Sequence, residues 1–236
     1  MRAKYDEFTV VIPTLNEKRT IGEMIHYLLR NYRGCKVLVE DDGSTDGTKM
    51  IVRQISKSNR NVGLIDRRAL GPEKGLTFSI VDGIRRCRTK YAIVIDADMQ
   101  HPPGKIQDVA ARLRRGDELV VANRAKVTDW APYRKIISRI FMYTGKIILF
   151  ITAKETCVDI FSGFFGVKRD VFVSVYEKNR HRFVGEGYKA LFDFLKCVER
   201  GTLRTSNVPF TFHIREFGAS KASVKQGVAL FKSFFS

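Results

Sequence analysis

The chain is predicted to form an α/β fold with a mostly parallel sheet and helices on both of its faces. Three observations predict it. Apolar runs of strand length alternate with segments of helical periodicity through the first half of the sequence. The conspicuous polar residues, Pro13 to Glu17, Asp41-Asp42 and Asp96 to Gln100, all fall at the carboxyl ends of those runs, where parallel sheets bind ligands. The 236 residues, 44% hydrophobic and 28% charged, are enough for a buried core and have the balance of a globular protein.

The elements follow in order. Phe8 to Pro13 reads as a buried strand ended by its proline, with Asn16 and Thr20 as caps for a helix from Ile21 to Asn31. Lys36 to Val39 reads as a second strand, running into the acidic segment Glu40 to Asp46, and a helix from Thr48 to Ser58 follows. A strand at Val62 to Ile65, a helix from Leu76 to Arg86 and a strand at Tyr91 to Ile95 come next. Pro102-Pro103 then precedes a helix from Ile106 to Arg115 and a strand from Glu118 to Ala122.

The second half reads differently. Between Arg134 and Lys154, Ile136, Ile137, Ile140, Phe141, Tyr143, Ile147, Ile148 and Phe150 recur at helical spacing with basic residues among them. A core helix would satisfy this pattern, and so would a basic amphipathic helix lying in a membrane interface. The charge and the apolar end, Leu230 to Ser236, favour the interface. No apolar run reaches the roughly 20 residues needed to span a bilayer, and no signal peptide is read at Met1 to Asp6.

The formal net charge of +17 implies a negative partner: nucleic acid, anionic lipid or a phosphorylated substrate. It is unevenly spread, with 22 bases against 16 acids before Arg124 and 20 against 9 from Arg124 onward. We read one domain, 1–236, in two halves, with most of the acids in 1–123 and the larger basic excess in 124–236. The four cysteines, Cys35, Cys87, Cys157 and Cys197, are scattered without CxxC spacing, so reduced structural cysteines are expected and no zinc site.

Asp96-Ala97-Asp98 places two carboxylates at a strand end, an arrangement that binds a hard divalent cation and the phosphates it neutralises. Gln100 and His101 are positioned to extend that shell. The acids from Glu40 to Asp46 would repel one another unless something compensates; Asp46 or Ser44 is expected to cap the next helix and Asp42 to bind ligand. The late arginines suit phosphate oxygens, because guanidinium binds them bidentately and stays charged.

Together these residues resemble family 2 glycosyltransferases with the GT-A fold. The resemblance rests on Val11 to Glu17, Asp41-Asp42-Gly43-Ser44, Lys74-Gly75 and Asp96 to Pro103. Asn123-Arg124, Tyr133 to Lys135, Asp159 to Phe165, Val208 to Phe210 and Ile214 to Lys221 narrow it to the dolichol-phosphate (polyprenyl-phosphate) mannose synthases. It implies an inverting transfer of mannose from GDP-mannose to a dolichyl or polyprenyl phosphate, with Mg²⁺ or Mn²⁺. The setting it implies is the cytoplasmic face of a membrane, with a membrane-spanning partner or C-terminal region possible. Pro13, Leu15, Glu17, Asp42, Asp96, Ala97, Asp98 and Gln100 would hold the donor, Asp98 and Gln100 the metal. Arg124 and Arg134, helped by Ser138, would take the acceptor phosphate, and Arg215 and Lys221 would close over donor and acceptor. Leu15 and Glu40 depart from the family pattern, standing where relatives often have an aromatic and an apolar residue.

Three other readings compete. UDP-glucose could replace GDP-mannose as donor. A hydroxyl acceptor would need a carboxylate base, for which Glu186 and Asp159 are the candidates. A nucleic-acid-binding protein would explain the charge but leaves the strand-end carboxylates without a role.

Overall fold

A computed structural model describes residues 4–69, 75–127, 132–185 and 189–212. The first half alternates as expected: β1 (Phe8–Thr14), α1 (Ile21–Asn31), β2 (Lys36–Asp41), α2 (Thr48–Ser58), β3 (Val62–Asp66), α3 (Leu76–Arg86), β4 (Tyr91–Val94), α4 (Ile106–Arg114) and β5 (Leu119–Val127). The second half adds α5 (Pro132–Ile151), β6 (Phe165–Lys168), α6 (Arg169–Lys178), α7 (Ala190–Leu195) and β7 (Thr205–Phe212).

The seven strands form one sheet in the order β3-β2-β1-β4-β6-β5-β7. The pairings β1–β2, β2–β3, β1–β4 and β5–β7 are parallel, whereas β6 is antiparallel to both β4 and β5. The boundary drawn at residues 123 and 124 falls inside β5, and β6 and β7 lie in the same sheet as the early strands, so both halves share one scaffold.

Alternation along the strands feeds two cores. Val10, Ile12, Ile93 and Val120 face the core that includes Ile21, Ile25 and Leu28 of α1 and Val109 and Leu113 of α4. Val11, Val94, Leu119 and Val121 face the other, with Ile80 and Ile84 of α3, Phe172 of α6 and Phe192 and Phe194 of α7.

Two sequence expectations are corrected here. Pro13 does not end β1: the strand continues to Thr14, with Pro13 opposite Glu40. The β4 pairing stops at Val11 opposite Val94, so beyond it Pro13 takes no N–H out of the β4 ladder. The strands β6 and β7 were not read from the sequence. β6 has only four residues, and β7 contains Pro209, which is tolerated because β7 is the last strand of the sheet.

Candidate active site

The loops after β1 and β2 are fastened into one unit. Asn16 takes a left-handed conformation (φ 55). Its backbone N–H donates to Ser44 Oγ (2.8 Å) and its Oδ1 accepts from Thr45 N (2.9 Å). Glu17 N donates to Thr48 Oγ1, Lys18 N to Asp46 Oδ2 and Asp42 N to Thr14 O. Asp46 also accepts from the Thr48 N–H and hydroxyl. Burial alone would raise the Asp46 pKa, but these bonds outweigh it and lower it. Asp46, not Ser44, therefore serves the start of α2. Thr20 occupies the N-cap position of α1, but its hydroxyl donates to Glu17 O and caps nothing, while Asn16 ties the two loops together. Pro13 is buried, Glu17 half-buried and Leu15 exposed on this lip.

Behind the lip lies a buried charge network. Asp41 is fully buried and shapes its own turn, accepting from Gly43 N (3.0 Å) and Ser44 N (2.8 Å). Asp42 Oδ2 accepts from Gly75 N (3.0 Å), and Oδ1 faces Arg67 Nε at 3.4 Å. Arg67 is itself buried, donates to the Phe78 carbonyl and pairs with Asp82 of α3. Arg67 and Asp82 were not picked out in the sequence. The pairing spans 25 residues from Asp42 to Arg67, and only the fold brings it together. Glu40, also fully buried, offers two carboxyl oxygens with no partner among the described residues. Burial foremost, then the negative charge of Asp82, pushes its pKa up to about 8, against the pull of Arg67 and Arg86.

At the end of β4, Asp96, Asp98 and His101 each offer a ligand atom, all within 4.8 Å of one another. Hard carboxylate oxygens with one imidazole fit a divalent cation such as Mg²⁺ or Mn²⁺. The following turn is held by Gln100 N donating to Asp98 Oδ1 (3.1 Å), with Met99 at φ 61; Ala97 is buried and Gln100 half-buried. His101 is buried among Phe164, Phe210 and Phe212, with Nδ1 3.3 Å from Asp96 Oδ2. Phe164, just before β6, and Phe210 and Phe212 of β7 thus fix the third candidate ligand, which the sequence had offered only as an extension of the shell.

Gly163 shows how tightly this centre is packed. A methyl group there would stand 3.0 Å from Asp96 Oδ2 and 3.4 Å from His101 Cε1. Gly163→Ala is therefore expected to weaken Mn²⁺ binding about tenfold by moving Asp96, with little change in melting temperature. Calorimetric titration with Mn²⁺ checks this, and unchanged affinity would contradict it.

Across the centre, Arg124, within β5 where its pairing with β7 shifts register, forms a bidentate pair with Asp159, through Nε (2.7 Å) and Nη2 (2.9 Å). Burial alone would lower the arginine's pKa, but Asp159, with a contribution from Asp96, raises it. Asp159 is buried and committed to this pair, which disfavours it as a general base. Ser138 is half-buried on α5. Arg134 lies on the same helix, but its side chain is outside the described residues, as are Glu186 and residues 213–236 with Arg215, Lys221 and the apolar end.

The helix α5 has one packed face and one exposed face. Its inner face packs: Leu149 is buried, and a methyl on Gly145 would collide with Ile160 at 2.6 Å. Its outer face is apolar and exposed. Tyr133, Ile136, Ile137, Ile140, Tyr143, Ile147, Phe150 and Ile151 are eight of the eleven exposed large hydrophobics among the described residues, a concentration that marks a contact surface. No helix among the described residues is long and apolar enough to cross a membrane.

Strand-end carboxylates fit to hold a cation, beside a buried arginine–aspartate pair, suit a glycosyl-transfer enzyme. The signature of glycosyl transferase family 2 matches residues 9–175, and the chain belongs to that family. Its relatives include the dolichol-phosphate mannosyltransferase of Pyrococcus furiosus, 31% identical over 223 residues. That match covers 92% of this chain and 59% of the relative, so the chain spans less than two thirds of that protein's length. The Mycosarcoma maydis dolichol-phosphate mannosyltransferase is 28% identical over 232 residues, 92% of this chain and 74% of the relative. A solved structure of glucosyl-3-phosphoglycerate synthase from Mycobacterium tuberculosis, in complex with Mn²⁺, UDP-glucose and phosphoglyceric acid, matches with a TM-score of 0.60 and 17% identity. It covers 97% of this chain and 77% of that one, and establishes the shared fold.

Proposed function

We propose that this chain transfers mannose from GDP-mannose to dolichyl or polyprenyl phosphate, with inversion, at the cytoplasmic face of a membrane. The observation that carries the reading is the Asp96–Asp98–His101 cluster standing beside the Arg124–Asp159 pair. The similarity to two dolichol-phosphate mannosyltransferases supports it.

The donor would lie over the lip of Pro13, Leu15 and Glu17 and beside Asp42, with Asp96 and Ala97 close to the sugar. Asp98, with Asp96, His101 or Gln100, would hold Mg²⁺ or Mn²⁺, which supplies positive charge for the departing diphosphate. Arg124, aimed by Asp159, would hold the acceptor phosphate together with Arg134, and Arg215 and Lys221 would close the site. One phosphate oxygen attacks the anomeric carbon as the bond to the diphosphate breaks. That oxygen is already ionised, so no general base is needed. This agrees with an Asp159 that is buried and occupied. The work of the protein is to bring two anions together and screen their repulsion. The exposed apolar face of α5 would sit in the lipid interface and deliver the acceptor.

The test is transfer of radiolabelled mannose from GDP-mannose into an organic-extractable polyprenyl phosphate with Mn²⁺ or Mg²⁺, alongside UDP-glucose and a chelator control. Metal-dependent lipid label from GDP-mannose is expected. Label from UDP-glucose alone would change the donor, and no lipid label from either would overturn the lipid-phosphate acceptor.

A further inference from the structure

The helix α7 is six residues long and wholly buried, and one of those residues is Asp193, at 0% exposure. A carboxyl group in such a place is costly unless it is partnered. Its Oδ1 lies 3.0 Å from Lys196 Nζ, and its Oδ2 accepts the Val184 backbone N–H at 3.1 Å. Burial raises its pKa, opposed by Lys196, the Val184 N–H and Lys189.

What this carboxyl holds in place leads to the donor pocket. Gly185, next in the chain after Val184, lies directly on Gly75: a methyl on Gly75 would stand 2.1 Å from the Gly185 carbonyl oxygen. Gly75 has a φ of 116 and precedes α3. Its N–H donates to Asp42 Oδ2. A continuous path therefore runs from Asp193 through the Val184–Gly185 backbone to Gly75 and Asp42, ending on a residue that the β2 strand alone would leave less constrained.

We infer that Asp193 is a positioning residue for the donor pocket, holding the Val184–Gly185 backbone against Gly75 and thereby the Gly75 N–H on Asp42. This rests on the reading of Asp42 as a donor-site residue. A purely structural role for Asp193 would lower stability and leave nucleotide affinity alone, which makes affinity the deciding measurement.

The experiment is calorimetric titration of the full chain with GDP, and separately UDP, in the presence of Mn²⁺, with a melting curve for each variant. Asp193→Ala removes the acceptor and Val184→Pro removes the donor of the same bond. Phe183, at φ −91 and ψ 118, already has the extended backbone that precedes a proline. Each variant is expected to bind the nucleotide about tenfold more weakly. The double variant should lose no more than the weaker single, because both changes break one path. Asp193→Asn keeps an oxygen for the Val184 N–H and should stay within about twofold of the parent. Wild-type affinity in a cooperatively melting Asp193→Ala or Val184→Pro protein would overturn the inference, as would fully additive losses. If Asp193→Ala does not fold, Val184→Pro decides alone. A parent chain that binds neither nucleotide would overturn the donor-site reading itself and the inference with it.

Discussion

Asp98→Asn is expected to reduce mannose transfer about a thousandfold, the scale at which a group that stabilises transition-state charge contributes. The substitution is chosen to keep the loop. Asparagine retains an oxygen to accept the Gln100 N–H that now bonds Asp98 Oδ1, so the turn around Met99 should survive. What is lost is one negative charge in a cluster of three ligand atoms, and with it the hold on a hard cation. The melting temperature should therefore change little while metal-dependent label in the lipid fraction disappears. Transfer within about tenfold of the parent at saturating Mn²⁺ would mean that Asp98 does not hold the metal.

Glu40→Gln is expected to stabilise the protein in alkaline solution. The parent carboxyl has a folded pKa of about 8 against an ordinary value of 4.5. The folded chain thus binds a proton between those values that the unfolded chain has released. By linkage, the stability from the neutral carboxyl is complete below pH 4.5, declines as pH rises, and is gone above about 8. At about 1.4 kcal/mol per pKa unit the total is on the order of 5 kcal/mol. Glutamine has no proton to lose. The two proteins should be similarly stable near pH 5 and diverge by several kcal/mol at pH 9, the variant being the more stable. Denaturant unfolding at pH 5, 7 and 9 measures this. A difference that does not depend on pH would show that Glu40 is ionised in the folded chain.

The sequence exposed the parts of the molecule whose signals are local. Val10, Val11 and Ile12, or Ile93 and Val94, are apolar runs that stop at Pro13-Thr14 or Asp96, so strand and strand-end residue are read together. The site pieces on β1, β2 and β4 came with them. What stayed hidden depends on distance along the chain. Arg67 meets Asp42 and Asp82, Asp159 meets Arg124 from 35 residues away, and His101 owes its place to Phe210 and Phe212. None of those meetings has a spacing to recognise. Pro209 stands in the strand that carries two of the aromatics, and the sequence does not say that β7 is an edge, where a proline is tolerated. Glu40 was conspicuous as an acid among acids, but whether it would be paired or protonated depended on which charges α3 brought over it.

The reversed strand β6 has a consequence for how such a site can change. In a sheet whose strands all point one way, only the segments leaving the strands reach the ligand edge; the segments entering them arrive at the far end. β6 runs against β4 and β5 and lies between them, so its entering segment is delivered to the same edge. That segment carries Asp159, Ser162 and Gly163, and it reaches Asp96 and Arg124 from the side opposite their own loops. One change of direction therefore gives the ligand edge an additional connection. A substitution at Asp159 or Gly163 would be felt at Arg124 or Asp96, outside the loops that those residues' own strands carry.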